Sequence, residues 1–169
     1  MMRRSEEDFD RFVAARSVPL YRTALLMYGG DRASAADAVQ TTMVELWRRW
    51  PRVRAMERAD AYAKRVLMTS VLRDRRQQPA SVVAVAEPPE RIDPRPHDPA
   101  MRHDLLAVIR ELPRMQRAVV VLRYYEDLTE AQTAETLGIS VGTVKSHCSR
   151  ALETMRRALP HEYLSGGGQ

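Results

Sequence analysis

Residues 128–155, LTEAQTAETLGISVGTVKSHCSRALETM, leave the chain little choice of local fold. Thr129 can cap a helix, and Gln132 three residues later completes a capping box. Leu137 closes that helix, and Gly138 supplies the left-handed backbone that a sharp exit needs. Ile139 points inward and Ser140 caps a second helix. Ala134, four residues before the glycine, lets two crossing helices approach closely, and Val144 anchors the second to the first. This spacing is the helix-turn-helix pattern, whose second helix enters the major groove of DNA. On that helix Thr143, Lys145, Ser146, Ser149 and Arg150 face outward. Val144, Cys148, Ala151 and Met155 take the other side. Short hydroxyls and cations suit phosphate oxygens and base edges, and no acidic residue enters the helix before Glu153.

The rest of the chain reads as helix as well. Phe9, Phe12, Val13, Leu20, Ala24 and Met27 recur at helical steps across residues 5–28, where Pro19 is expected to bend or divide the run. After the Gly29-Gly30-Asp31 turn, a second helix spans about 34–50, capped by Asp31 or Ser34. Its apolar stripe holds Ala35, Ala38, Val39, Met43, Leu46, Trp47 and Trp50. Residues 51–59, PRVRAMERA, read as a basic loop. A third helix spans about 60–76, with Ala61, Ala63, Val66, Leu67 and Val71 inward, and Tyr62, Lys64, Arg65, Met68, Thr69 and Arg73 on the surface. Residues 103–112 form an amphipathic helix, and Pro113 opens the next, 114–125, with Met115, Ala118, Val119, Leu122 and Tyr125 inward.

Between these two helical groups the composition changes. Residues 77–100 hold six of the ten prolines, carry a net charge of −2 and show no helical period. They read as a partly extended linker. The expected architecture is all-α: a helical domain over 1–76, a Pro-rich linker over 77–100, a helix-turn-helix domain over 101–164, and a disordered tail, SGGGQ, over 165–169.

Charge narrows the partner. The net charge of +5 favours an anionic surface, and residues 1–76 carry most of it, with sixteen cations against ten acids. Residues 101–169 are nearly neutral, nine against eight. Cys148 is the single cysteine, so the reducing cytoplasm is the expected compartment. No apolar run follows the N-terminal arginines as in a signal peptide, and no stretch approaches bilayer-spanning length. His97, His103, His147 and His161 are scattered without metal-ligand spacing. No phosphate-cradling glycine loop or nucleophile pair is visible. An enzyme is not expected, nor a metal, a cofactor or a small-molecule substrate.

The phrase LRYYEDLTEAQTAETLGISVGTVKSHCSRAL (122–152) closely resembles the promoter-reading C-terminal domain of group IV, or extracytoplasmic-function, sigma factors. DAVQTTMVELWRRW (37–50) and RADAYAKRVLMTSVLRDRR (58–76) resemble the N-terminal domain of the same family. The resemblance implies that the chain binds core RNA polymerase and directs initiation at promoter DNA. It implies −35 reading by Thr143, Lys145, Ser146, Ser149 and Arg150. For the −10 element it implies Arg52, Arg54 and Arg58 beside a flipped base, with Arg65, Thr69, Arg73 and Arg76 on the following helix. Docking on core polymerase is implied for Asp37, Gln40, Thr41, Glu45 and Trp47. Many members carry a denser acidic run where this chain has Ala35, Ala36, Ala38 and Thr41, so docking should lean on Gln40 and apolar contacts. By resemblance the linker threads the polymerase cleft. Whether an anti-sigma factor restrains the chain stays open, as do its regulon, its promoter and the exact bases read. The rival reading is a stand-alone helix-turn-helix regulator, which would bind a palindrome tightly without polymerase.

Overall fold

A computed structural model of the chain describes residues 2–74 and 99–159. Every regular element among them is helical. In the first half these are α1 (Met2–Met27), α2 (Arg32–Arg48), the single turn α3 (Trp50–Val53) and α4 (Ala59–Arg73). In the second they are α5 (Pro99–Glu111), α6 (Arg114–Val120), α7 (Glu130–Leu137) and α8 (Val141–Ala158). Most of the expected linker, Arg76 and the tail lie outside the described residues. Helix α5 starts at Pro99, inside the stretch read as linker, with proline in the first turn where its missing N–H costs nothing.

Pro19 does not divide α1, which runs on to Met27. Apolar residues on both sides of it, Phe9 and Phe12 before and Leu20, Ala24 and Met27 after, pack into one core. That burial outweighs one lost backbone bond. Gly29 (φ 61°) and Gly30 (φ 94°) turn the chain through left-handed conformations. Asp31 then caps α2, its Oδ1 accepting from the amides of Ala33 at 3.1 Å and Ser34 at 3.2 Å. Arg49 breaks the register at the end of α2, and Trp50 begins a separate turn, so residues 50–53 are helical rather than loop. Trp50 is buried against Phe9 and Phe12, at ring separations of 5.0 and 5.2 Å, and its indole N–H donates to Ser5 O at 3.0 Å.

In the second half α6 is the pin. Val119 packs with Ala134 and Val144 of the helix-turn-helix. Val120 packs with Leu112 and Ala151. Ala118, Val121 and Leu122 join the core of the first half, beside α1 and α4. A helix apolar on all sides is one buried on all sides, and this explains the run AVVVL. After α6 the backbone widens into a π turn, Val121–Tyr125, closed by Glu126 N–H to Val121 O at 3.0 Å. Tyr125, expected inward, is 39% exposed because this turn rotates it out of the helical stripe. Met68, expected on the surface, is 1% exposed because the second half packs along that side of α4.

Candidate nucleic-acid interface

The turn between α7 and α8 is built as the residues demand. Thr129 Oγ1 accepts from Gln132 N–H at 3.1 Å, and the Gln132 side chain accepts from Thr129 N–H at 2.9 Å. Gly138 has φ 68°, and Ser140 Oγ accepts from Thr143 N–H at 3.0 Å. Ala134 and Val144 are buried between the two helices, with Leu137, Ile139 and Cys148 packed against them. A Cβ at Gly138 would meet no atom within 4 Å, so Gly138→Ala tests backbone strain alone. Urea unfolding should show a loss of about 1 kcal/mol; no change would mean that the left-handed turn relaxes.

Lys145, Ser146, Ser149 and Arg150 are exposed on α8, and Thr143 is half-buried. The Thr143 hydroxyl is already shared with Ser140 Oγ at 2.8 Å, so it acts first as part of the cap. Lys145 stands 3.7 Å from Glu130 of α7, an exposed pair that water and salt weaken. Cys148 lies half-buried, its sulfur 3.6 Å from the Tyr124 hydroxyl. That contact first, and burial second, raise the Tyr124 pKa above the usual phenol value. His147 is half-buried, with Nδ1 turned inward.

In the first half, α2 and α4 enclose an open groove of about 660 Å³. Arg65, Thr69 and Arg73 line one wall, four residues apart on α4. Asp37, Thr41 and Glu45 line the other, again four apart on α2. Tyr62 and Arg49 close one end, with the guanidinium donating to the phenol oxygen at 3.1 Å. That hydrogen bond raises the Arg49 pKa, and nearby Glu45 adds to the effect. Thr69 Oγ1 donates to Arg65 O at 2.8 Å, which leaves its lone pairs free to accept.

The structure therefore splits the five residues read as a polymerase-docking set. Asp37, Thr41 and Glu45 belong to the groove. Gln40 and Trp47 lie on the next stripe of α2 with Val44, all three exposed. Trp47 rests on Phe9 at 4.9 Å and is 44% exposed. Arg52, Arg54 and Arg58 are exposed around the short turn after α2. Arg54 reaches Asp8 at 3.4 Å and Arg58 reaches Glu135 at 3.9 Å. Periodicity placed Tyr62 on the surface of the third helix but did not pair it with Arg49, because that pairing depends on how α2 and α4 cross.

On one all-helical chain, the second half carries a capped helix-turn-helix, a motif that binds DNA, and the first half carries a groove with arginines on one wall and carboxylates on the other. Comparison with known proteins agrees. The sigma-70 region 2 family matches residues 13–80, and the sigma-70 region 4 family matches residues 102–155. The chain is 34% identical to the RNA polymerase sigma-E factor of Streptomyces coelicolor, over 90% of this chain and 86% of that one. It is 32% identical to the ECF RNA polymerase sigma factor SigL of Mycobacterium tuberculosis, over 83% and 82%. Its fold matches the sigma factor RpoE of Bartonella quintana, solved in complex with the anti-sigma factor NepR. There the TM-score is 0.69 at 20% identity, covering 90% of this chain and 96% of that one. The chain belongs to the sigma-70 family, in its extracytoplasmic-function group, and is a sigma factor that directs transcription initiation. No helix among the described residues is long and apolar enough to cross a membrane.

Proposed function

We propose that the two halves, 1–76 and 101–164 joined by 77–100, divide one promoter between them. The first reads the −10 element and the second reads the −35 element, while core RNA polymerase holds both. The observation that carries this is the α2–α4 groove. Its arginines and hydroxyls follow one helical row on α4, as a single-stranded backbone beside unstacked bases requires. Arg65, Thr69 and Arg73 contact the melted strand, and Arg76 is assigned to the same −10 element from the sequence. Arg52, Arg54 and Arg58 offset the few kcal/mol that base flipping costs. On α8, Lys145, Ser146, Ser149 and Arg150 read the −35 duplex, and Thr143 orients the helix start. Gln40, Val44 and Trp47 form the docking stripe for core polymerase, and Asp37, Thr41 and Glu45 form the rim between stripe and groove.

The near-neutral second half supports a reader whose affinity comes from tethering to a large partner. Promoter DNA and core polymerase are the partners of this reading, and an anti-sigma factor fits as a third, as in the Bartonella complex. The protein acts in the cytoplasm by binding, without chemistry or cofactor of its own.

Transcription by core polymerase with and without this protein, with start sites mapped, tests the reading. Arg150→Ala should lower initiation about tenfold at promoters that depend on a −35 element, within the discrimination expected of one arginine–base contact. Equal loss on templates lacking a −35 element would remove Arg150 from that role. Tight palindromic footprints without polymerase would instead favour the stand-alone regulator.

A further inference from the structure

The two walls of the α2–α4 groove carry opposite charge, and that asymmetry fixes which way a strand lies in it. Arg65 and Arg73 stand on α4, whereas Asp37 and Glu45 stand on α2. Phosphates are drawn to the first wall and repelled by the second, so the bases turn toward α2. Ala38, Thr42 and Val66 line the groove between the charged rows. At about 660 Å³ it lies within the range of pockets that take a small molecule. It therefore admits an unstacked nucleotide and not a duplex.

The end nearest Arg49 gathers what recognition of a base requires. Tyr62 offers an aromatic ring there, and Arg49 Nη1 donates to its phenol oxygen at 3.1 Å. Glu45, one turn before Arg49, is half-buried and lines the groove. Its Oε1 accepts from Arg48 Nη1 at 2.9 Å, and its Oε2 stands 3.9 Å from Arg49 Nη2. A carboxylate has about four acceptor positions, so these two contacts orient Glu45 and leave it able to accept from a ligand. Arg65, on the facing wall, supplies charge for the adjoining phosphate. The far end is closed differently: the Tyr28 hydroxyl donates to Asp74 Oδ2 at 2.8 Å, so that phenol is committed.

Glu45 and Arg49 set an acceptor beside a donor. Adenine and cytosine present the complementary pair on their pairing edge, an exocyclic amino donor next to a ring-nitrogen acceptor. Guanine and thymine present a carbonyl where the amine would be. A carbonyl oxygen facing Glu45 would oppose two acceptors with no proton between them. Leaving such groups unpaired costs more than the hydrogen bond itself contributes. Tyr62 can stack on any base, so it adds affinity while Glu45 adds choice.

We propose that Glu45, with Arg49 beside it, selects a base bearing an exocyclic amine, adenine or cytosine, at one position of the melted −10 strand. This choice rests on the −10 reading of the groove and deepens it, because it names a residue of α2 that decides base identity. The arginines of α4 hold the strand by its phosphates, which carry no sequence information. Specificity in the groove then comes from the wall that repels the backbone.

The experiment uses holoenzyme, the full chain saturated with core polymerase, on promoters altered in the non-template strand of the −10 element. At each adenine, deoxynebularine removes only the amine; at each cytosine, the deoxyriboside of 2-pyrimidinone does the same. Open-complex formation is compared on amine-bearing and amine-free templates. With the parent chain, one position should lose at least about tenfold when its amine is removed, as expected for a hydrogen bond to a charged group. With Glu45→Ala the same removal should cost less than about twofold, and Glu45→Gln, which keeps an acceptor oxygen, should fall between. Each variant is compared with itself on two templates, so a change in core affinity or in stability cancels. Equal losses for the parent and Glu45→Ala at every position overturn the role of Glu45. A parent chain indifferent to every amine, yet sensitive to other base changes in the −10 element, also overturns it and leaves the −10 reading standing. Indifference to every base change in that element refutes the −10 reading and the choice of base with it.

Discussion

Trp50→Ala should cost about 3–5 kcal/mol, the range for removing a large buried aromatic side chain. Only 4% of Trp50 is exposed, and it stands where α1 crosses the turn after α2. Phe9 meets it edge-on, with ring planes at 74°, and Phe12 lies tilted at 55°; such pairs add to the area they bury. Its N–H satisfies Ser5 O at 3.0 Å, a carbonyl near the start of α1. Alanine would leave a cavity between α1, α2 and α3. The melting temperature should fall by about 10 °C, at 2–4 °C per kcal/mol for a chain of this size. Trp50→Phe keeps most of the volume and loses the hydrogen bond, so it should cost about 1–2 kcal/mol. Thermal unfolding followed by circular dichroism decides the matter. A loss under 1 kcal/mol for the alanine variant would show that α1 repacks and that the aromatic cluster is not what holds it.

The contrast between Trp50 and Trp47 shows where sequence reading stops. Both tryptophans sit in one apolar stripe by periodicity, yet one is buried and the other 44% exposed. The break at Arg49 separates them, and nothing in helical spacing announces a one-residue break before a proline that itself continues in a helical turn. Local chemistry was legible wherever a cap or a left-handed position had a residue-specific cause. Thr129, Gln132, Gly138 and Ser140 therefore stand where reading placed them. Contacts between the halves had no such signal. An arginine that caps another helix, such as Arg114, looks in the sequence like any surface arginine. Lys64 and Met68 share a face with each other at helical spacing, but only the docking of the second half shows that this face is covered. The run AVVVL was the one hint, since a helix apolar on every side needs neighbours on every side. The groove was half legible: the row Arg65, Thr69, Arg73 follows from spacing, whereas its pairing with Asp37, Thr41 and Glu45 depends on how α2 and α4 cross.

Replacing Arg65 and Arg73 together with alanine should slow promoter melting by one to two orders of magnitude while leaving −35 binding intact. Both side chains are exposed, on one wall of the groove, eight residues and about 12 Å apart along α4 at 1.5 Å per residue. Neither is buried, so removing them should change stability by under about 0.5 kcal/mol and leave the fold in place. In the proposed −10 reading, what they supply is charge along a single strand. Each phosphate neutralised on single-stranded DNA contributes about −0.7 to the slope of log affinity against log salt. Losing two contacts should flatten the slope for open-complex formation by about 1.4. Rates measured with holoenzyme on one promoter across a series of salt concentrations give that slope directly. An intermediate Thr69→Val variant should lower the rate without altering the slope, because the threonine offers an acceptor and no charge. If the double arginine variant leaves the slope unchanged, the melted strand does not follow the α2–α4 groove, and the basic turn at Arg52, Arg54 and Arg58 must carry it instead.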